Sequence, residues 1–295
     1  MDWKQVMKRI ADWTIPPNIQ KVILSNLRRT RMLDPELRSI LARNKVFQNC
    51  HSGERCFILG TGPSISKQDL KPLKHEICFA LNFFYLHKDF AEIQPLYYVT
   101  GGLLSHPDIT YQAGLQWFHD LEKVANNSIL FLELADYQFV QEHGLFQNTK
   151  VYYWQTRGDW RWDDLPRKGI DLTKPIYDSH NVAVIALQIA LYMGFKEIYL
   201  LGLDHDWIVR YAERLPLHFY KPEDSPVERE GPIYWGYYLK DWKTLFYYHW
   251  TLWEQYEKLK VFAEQREVKI YNATGGGILD VFERIEYCLL FPRMQ

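Results

Sequence analysis

Residues 182–203, VAVIALQIALYMGFKEIYLLGL, constrain the fold of this chain more than any other stretch. The first twelve are apolar on nearly every side, so a helix here is enclosed by protein instead of lying on a surface. Gly194 supplies its stop, and Lys196 with Glu197 marks a surface turn. IYLLGL then runs apolar without alternation, as a strand does when helices cover both of its faces. A buried helix feeding a doubly covered strand calls for a layered α/β domain. The strand gives way at Asp204, His205 and Asp206. Ligands of open α/β sheets bind at the carboxyl ends of strands, so chemistry is expected there.

The rest of the chain fits the same plan. From Arg55 it alternates β and α: RCFILG, EICFALNFFY, QPLYYVTGG, SILFLEL and KVYYWQT read as strands. A helix is predicted through Tyr111–Ala125 and a long one from Asp241 to Arg266, the latter leading into VKIYNAT and the turn Gly275–Gly277. The expectation is a mostly parallel, Rossmann-like sheet with helices on both faces. Ile208 to Lys240 shows no clear periodicity, and a loop of that length usually serves as a lid or binding segment. The lid is therefore placed at about 206–240.

Residues 1–47 form a separate unit on composition. Lys4, Lys8, Arg9, Lys21, Arg28, Arg29, Arg31, Arg38, Arg43 and Lys45 outnumber the acids, and Trp3, Val6, Ile10 and Trp13 stand near helical spacing. A basic amphipathic arm of this kind contacts a membrane surface or packs on the domain or a second subunit. Residues 48–295 then make the α/β domain. Net charge is −1 and gives no footprint for nucleic acid. Aromatic residues reach 16% of the chain, and such rings line sugar or base pockets as well as interfaces. Cys50, Cys56, Cys78 and Cys288 show no zinc-ligand spacing, which points to a reduced, cytoplasmic protein. No signal peptide and no apolar run of membrane-spanning length is present in the sequence.

Several residues stand where strands end. Gly60-Thr61-Gly62-Pro63-Ser64 follows a strand and opens a helix, so its backbone could approach a phosphate while Ser64 caps the helix or donates to a ligand. It is neither GxGxxG nor a P-loop. Asn82 and Thr100 could bond a base or ribose, or be turn residues. Ser179, His180 and Asn181 could cap the central helix or face a ligand. Asp204 and Asp206, beside the Gly202 turn, could hold Mg²⁺ or have a structural or substrate-contacting role. His218, in PLHFY, is a candidate general base, although a lone loop histidine often has no such task.

Three stretches, GTGPSI, ALNFFY and ALYMGFKEIYLLGLDHD, resemble two related groups. One is the small bacterial sialyltransferases, which use CMP-sialic acid without a metal. The other is the MptE-like (DUF115) proteins, including motility accessory factor glycosyltransferases. HFYKP and the later KIYNATGGGILDVFERIEY look like the second group. The resemblance spans roughly Arg55 to Tyr287. It implies a sialyltransferase-like fold and an inverting transfer of a sugar acid (sialic acid, or a related nonulosonate or Kdo-type sugar) from a CMP-activated donor to a glycan or lipid-linked glycan. No cofactor is implied.

By the same resemblance, Gly60, Thr61, Gly62 and Ser64 fall on the nucleotide-binding turn, with Thr61 in place of the family's asparagine. Asn82 matches an asparagine that contacts the nucleotide, and Thr100, Gly202 and Asp204 complete the expected nucleotide site. Ser179 lies near the serine before the central helix but out of strict register. His218 matches the general base. Tyr211, Tyr220 and Tyr234 are candidates for two tyrosines on the donor phosphate. A homo-oligomer and a peripheral membrane contact through the arm are also expected. An alternative within the resemblance is a Mg²⁺-dependent pterin diphosphokinase using ATP, with Asp204 and Asp206 as ligands. Another is a non-catalytic protein of glycan assembly.

Overall fold

The computed structural model describes residues 35–103, 109–158, 161–227 and 241–291. Within them, eight strands form one sheet: β1 Arg55–Leu59, β2 Cys78–Leu81, β3 Tyr97–Val99, β4 Ile129–Glu133, β5 Lys150–Trp154, β6 Glu197–Leu201, β7 Lys269–Asn272 and β8 Glu283–Arg284. Every pairing is parallel, in the order β5-β4-β3-β2-β1-β6-β7-β8. The chain steps outward from β1 to β5, then returns to place β6 on the other flank of β1. The reversal between β1 and β6 is the switch point near which doubly wound folds bind their ligands.

The apolar strands divide their side chains between two cores. Cys56 and Ile58 face one layer with Phe79, Leu81, Ile198 and Leu200, while Phe57 and Leu59 face the other with Cys78, Ala80, Tyr199 and Leu201. This is the two-residue alternation of a strand with no solvent face.

The longer helices are α1 Pro35–Ala42, α2 Tyr111–Val124, α3 Val182–Met193, α4 Trp207–Glu213 and α5 Trp242–Glu264. Helices α3 and α5 cover the first face, and α2 with several short turns covers the second. As the sequence predicts, α3 is buried almost all round. Asn181 caps it by accepting the Ala183 N–H at 2.9 Å, and Gly194 ends it at φ +87°. No helix among the described residues is long and apolar enough to cross a membrane.

Two segments bear on the expected boundaries. Residues 35–47 belong to the domain, because Ile40, Leu41 and Phe47 are buried in its cores. Asn44 adds two bonds, donating to the carbonyls of Tyr153 and Leu172. The basic and aromatic positions before residue 35 lie outside the described residues. The segment 206–227, placed in the expected lid, contains α4, and Tyr220 and Val227 are buried. Residues 228–240, with Tyr234, lie outside the described residues.

Candidate functional site

The turns that follow β1, β6 and β7 interlock around Asp204. Gly60 N–H donates to Leu201 O and Gly62 N–H to Gly202 O, each at 2.8 Å, zipping the first turn onto the second. The Asp204 carboxylate accepts from Ser64 Oγ at 2.8 Å and from Ser64 N–H at 3.2 Å. From the third turn, Ile278 N–H donates to Asp204 O at 2.9 Å. Arg284 gathers the carbonyls of Thr274, Gly276, Gly277 and Leu279 and so holds that turn in shape. Burial pushes the Asp204 carboxyl up from its ordinary value, with the Ser64 hydrogen bonds pulling the other way.

This packing gives the turn a structural task beside the expected phosphate cradle. A Cβ on Gly62 would stand 1.9 Å from Asp204 Oδ2 and 2.6 Å from Gly202 O, and one on Gly60 would stand 2.5 Å from Gly202 O. The glycines let one backbone pass another. The amides of Gly60, Gly62, Ser64 and Ile65 all donate within the protein, and Pro63 has none. Pro63–Lys67 forms a short 3₁₀ turn where a helix was expected. Gly60, Gly62, Ser64, Gly202 and Asp204 are thus bonded to or packed on one another, which gives each a structural task.

The acids do not form an open pair. Asp206 accepts from Arg210 Nε at 2.6 Å while Asp204 is held by Ser64. Among the described residues, no three His, Cys, Asp or Glu side chains gather into a metal-binding group. Between the two acids, His205 adopts φ +48° and turns its ring inward, with Nε2 2.8 Å from the Tyr256 hydroxyl. Burial pushes this imidazole down to about 3, assisted by the neighbouring His249.

The β1–β3 side is assembled differently. After α4 the chain returns over the strand ends, and Phe219 N–H donates to Thr61 O at 3.0 Å. His218 Nδ1 lies 2.9 Å from Thr61 Oγ1. Tyr220 stacks on the imidazole at 4.9 Å between ring centres and 3° between planes. Tyr220 also meets Phe83 edge-on, and Phe83 stacks on Trp117 of α2 at 4.5 Å. Burial pushes His218 down to about 4; the Thr61 main chain partly offsets this, and Arg210 adds to it. With its value lowered by burial, the ring is neutral near pH 7.

On the next strands, Asn82 sits at φ +47° and its Oδ1 accepts the Gly101 N–H at 2.8 Å, joining the ends of β2 and β3. Thr100 is fully buried. Its Oγ1 has no hydrogen-bond partner among the described residues, and neither has Trp117 Nε1. Other buried polar atoms among the described residues lack partners too, Gln68 Oε1 beside the β7 turn among them, so this flank is marked by its place at the strand ends.

Thr61, His218 and Tyr220 are therefore brought together, with Asn82 and Thr100 on the adjoining strand ends. Ser179 is not part of this group: it donates to Gln255 Oε1 at 2.7 Å and accepts the Asn181 N–H. Tyr211 meets the Trp242 ring edge-on at 4.9 Å on α5. Phe83 and Trp117 escaped the sequence reading. Phe83 carried a signal, since it follows Asn82 directly, whereas Trp117 looks like any apolar position on an amphipathic helix.

No known family model matches the chain, and no curated protein matches it. Among solved structures it is similar to the MAf glycosyltransferase from Magnetospirillum magneticum AMB-1, with 14% identity and a TM-score of 0.47. That alignment covers 87% of this chain and 39% of the other, so the chain spans about two fifths of that protein's length. It is also similar to the sialyltransferase CstII from Campylobacter jejuni, solved in complex with a substrate analogue, cytidine-5'-monophosphate. There the identity is 14% and the TM-score 0.44, over 79% of this chain and 85% of the other. At this level neither likeness fixes an activity for this chain.

Proposed function

We propose that the protein is a glycosyltransferase that moves a sugar acid of the sialic, nonulosonic or Kdo type from a CMP-activated donor to a surface-glycan acceptor, with inversion. The observation that carries this reading is His218: a neutral imidazole held against Thr61 at the end of the central strand, on the segment following β6. The donor lies over the ends of β1 to β3, where Asn82 and the buried Thr100 hydroxyl stand, because the turns around Asp204 close the opposite flank.

In the proposed reaction the acceptor hydroxyl attacks the anomeric carbon from the face opposite CMP. A carbon–oxygen bond forms there as the bond to the phosphate oxygen breaks, and its electron pair leaves with CMP. His218 takes the hydroxyl proton. A base of such low pKa is weak in the empty site. An anionic donor, carrying a carboxylate and a phosphate, favours the protonated ring and raises that pKa on binding. Tyr220 supports the ring by stacking, while Tyr211 and Tyr234 remain candidates for the donor phosphate. The same reading places the protein in the cytoplasm, as a homo-oligomer. Contact with the membrane falls to the arm 1–47, of which Arg38, Arg43 and Lys45 are exposed while Ile40, Leu41 and Phe47 pack into the domain.

The reading requires no divalent ion. A diphosphokinase would need Asp204 and Asp206 to leave Ser64 and Arg210 before they could bind a cation. Thermal-shift titration with CMP, CDP, UDP, GDP and ATP, with and without Mg²⁺, tests the assignment. A rise in Tm with CMP that does not depend on Mg²⁺ supports it. A shift with ATP and Mg²⁺ alone refutes it.

A further inference from the structure

We infer that Thr61 is a positioning residue that fixes the tautomer of His218, keeping the proton on Nδ1 and the lone pair on Nε2. The inference rests on the role of His218 as base and adds what makes that role workable. Neutral imidazole carries one proton, and the hydrogen bond at one nitrogen decides what the other can do. If the Thr61 hydroxyl donated to Nδ1, Nε2 would hold the proton and could accept none. With Nδ1–H donating to Thr61 Oγ1 at 2.9 Å, Nε2 is the basic nitrogen, and the same bond persists once the ring is protonated.

Three contacts from different directions make this arrangement specific. The Phe219 N–H to Thr61 O bond, 3.0 Å, fixes the loop against the end of β1. The parallel Tyr220 ring fixes the plane of the imidazole. Thr61 Oγ1 then meets a nitrogen whose position is already set. Thr61 Oγ1 reaches the base, which gives it a task other than nucleotide contact.

The test is nitrogen NMR of the full-length protein with ¹⁵N-labelled histidine, His218 being assigned by its loss in His218→Asn. The Nδ1–H tautomer is expected in the wild type and in Thr61→Ser, and a mixture or the opposite tautomer in Thr61→Val. A wild-type ring protonated on Nε2, or an unchanged tautomer in Thr61→Val, overturns the inference. With a CMP-activated sugar acid, Thr61→Val should lose kcat by about tenfold or more, within the 10²–10⁴-fold that a base contributes. KM for the donor should hold, and Thr61→Ser should recover the rate. A Thr61→Val variant that loses donor affinity at unchanged kcat also overturns the inference. If the tautomers behave as expected while no CMP-activated donor turns over, the positioning stands and the transferase reading falls.

Discussion

The two flanks of the switch point use similar-looking sequence for opposite purposes. Around β1, β6 and β7, glycine-rich turns lock together on Asp204, with backbone amides and carbonyls satisfied inside the protein. Around β1, β2 and β3, side chains do the joining: Thr61 with His218, Asn82 with Gly101, Tyr220 with Phe83. Buried side-chain atoms without partners among the described residues occur on both sides: Thr100 Oγ1 and Trp117 Nε1 here, Gln68 Oε1 beside the β7 turn. A Gly-rich strand end is thus as much a device for passing one backbone across another as for admitting a phosphate. Counting where the amides go separates the two cases.

The sharpest way to break the comparison is to put a side chain into the interlock. Gly277 has φ +74°, and its Cβ would stand 2.2 Å from the Asp204 carbonyl oxygen, which is backbone and cannot swing aside. Gly277→Ala and Gly62→Val should each cost more than about 3 kcal/mol, the range of strained or overpacked sites, read as a fall in urea midpoint. A wild-type midpoint in both would dissolve the interlock.

Asp204→Asn should cost less, about 1–3 kcal/mol, because an amide cannot accept both Ser64 donors. If the donor sits on the other flank, CMP affinity should change by under about threefold, which corresponds to about 0.65 kcal/mol. A large loss of affinity by calorimetry would return Asp204 to the nucleotide site.

Acid should act mainly through the buried histidines. Their folded-state values, about 4 for His218 and about 3 for His205, lie below that of an unfolded chain. As pH falls from about 6.5 the unfolded chain binds protons first, so stability declines until those folded values are passed. Asp204, raised by burial, works in the opposite sense. His205→Asn, whose side chain tolerates the left-handed backbone at φ +48°, should show a shallower fall in Tm between pH 7 and 4. An identical slope would mean that His205 is not neutral in the fold.

Thr100→Val should have the smallest effect on the empty protein. It removes a buried hydroxyl that lacks a partner, so stability should stay within about 1 kcal/mol or rise slightly. Weaker CMP binding in this variant would place the nucleotide on the β3 side. Unchanged binding would move it off Thr100.

Much of the fold was legible because burial leaves a local mark. The continuous apolar runs of β1 and β6 and the all-round apolar α3 each declare two covered faces, and Asn181 and Gly194 act as the caps their types suggest. Helix α4 was not legible, since it is only seven residues long and none of them is fully buried. The site was legible only in part. Thr61 and His218 are 157 positions apart and Ser64 and Asp204 are 140 apart, so neither pairing leaves a local pattern. Position at a strand end gathered residues that the fold does bring close together, but it could not tell a residue facing a ligand from one bonded to the next turn.

The most direct test of the central claim is CMP release from a CMP-activated sugar acid in the presence of a glycan acceptor and excess EDTA. The wild type should release CMP under these conditions, and His218→Ala should be slower by about 10²–10⁴-fold with CMP affinity nearly unchanged. Activity abolished by EDTA and restored by Mg²⁺, with His218→Ala still active, would contradict it.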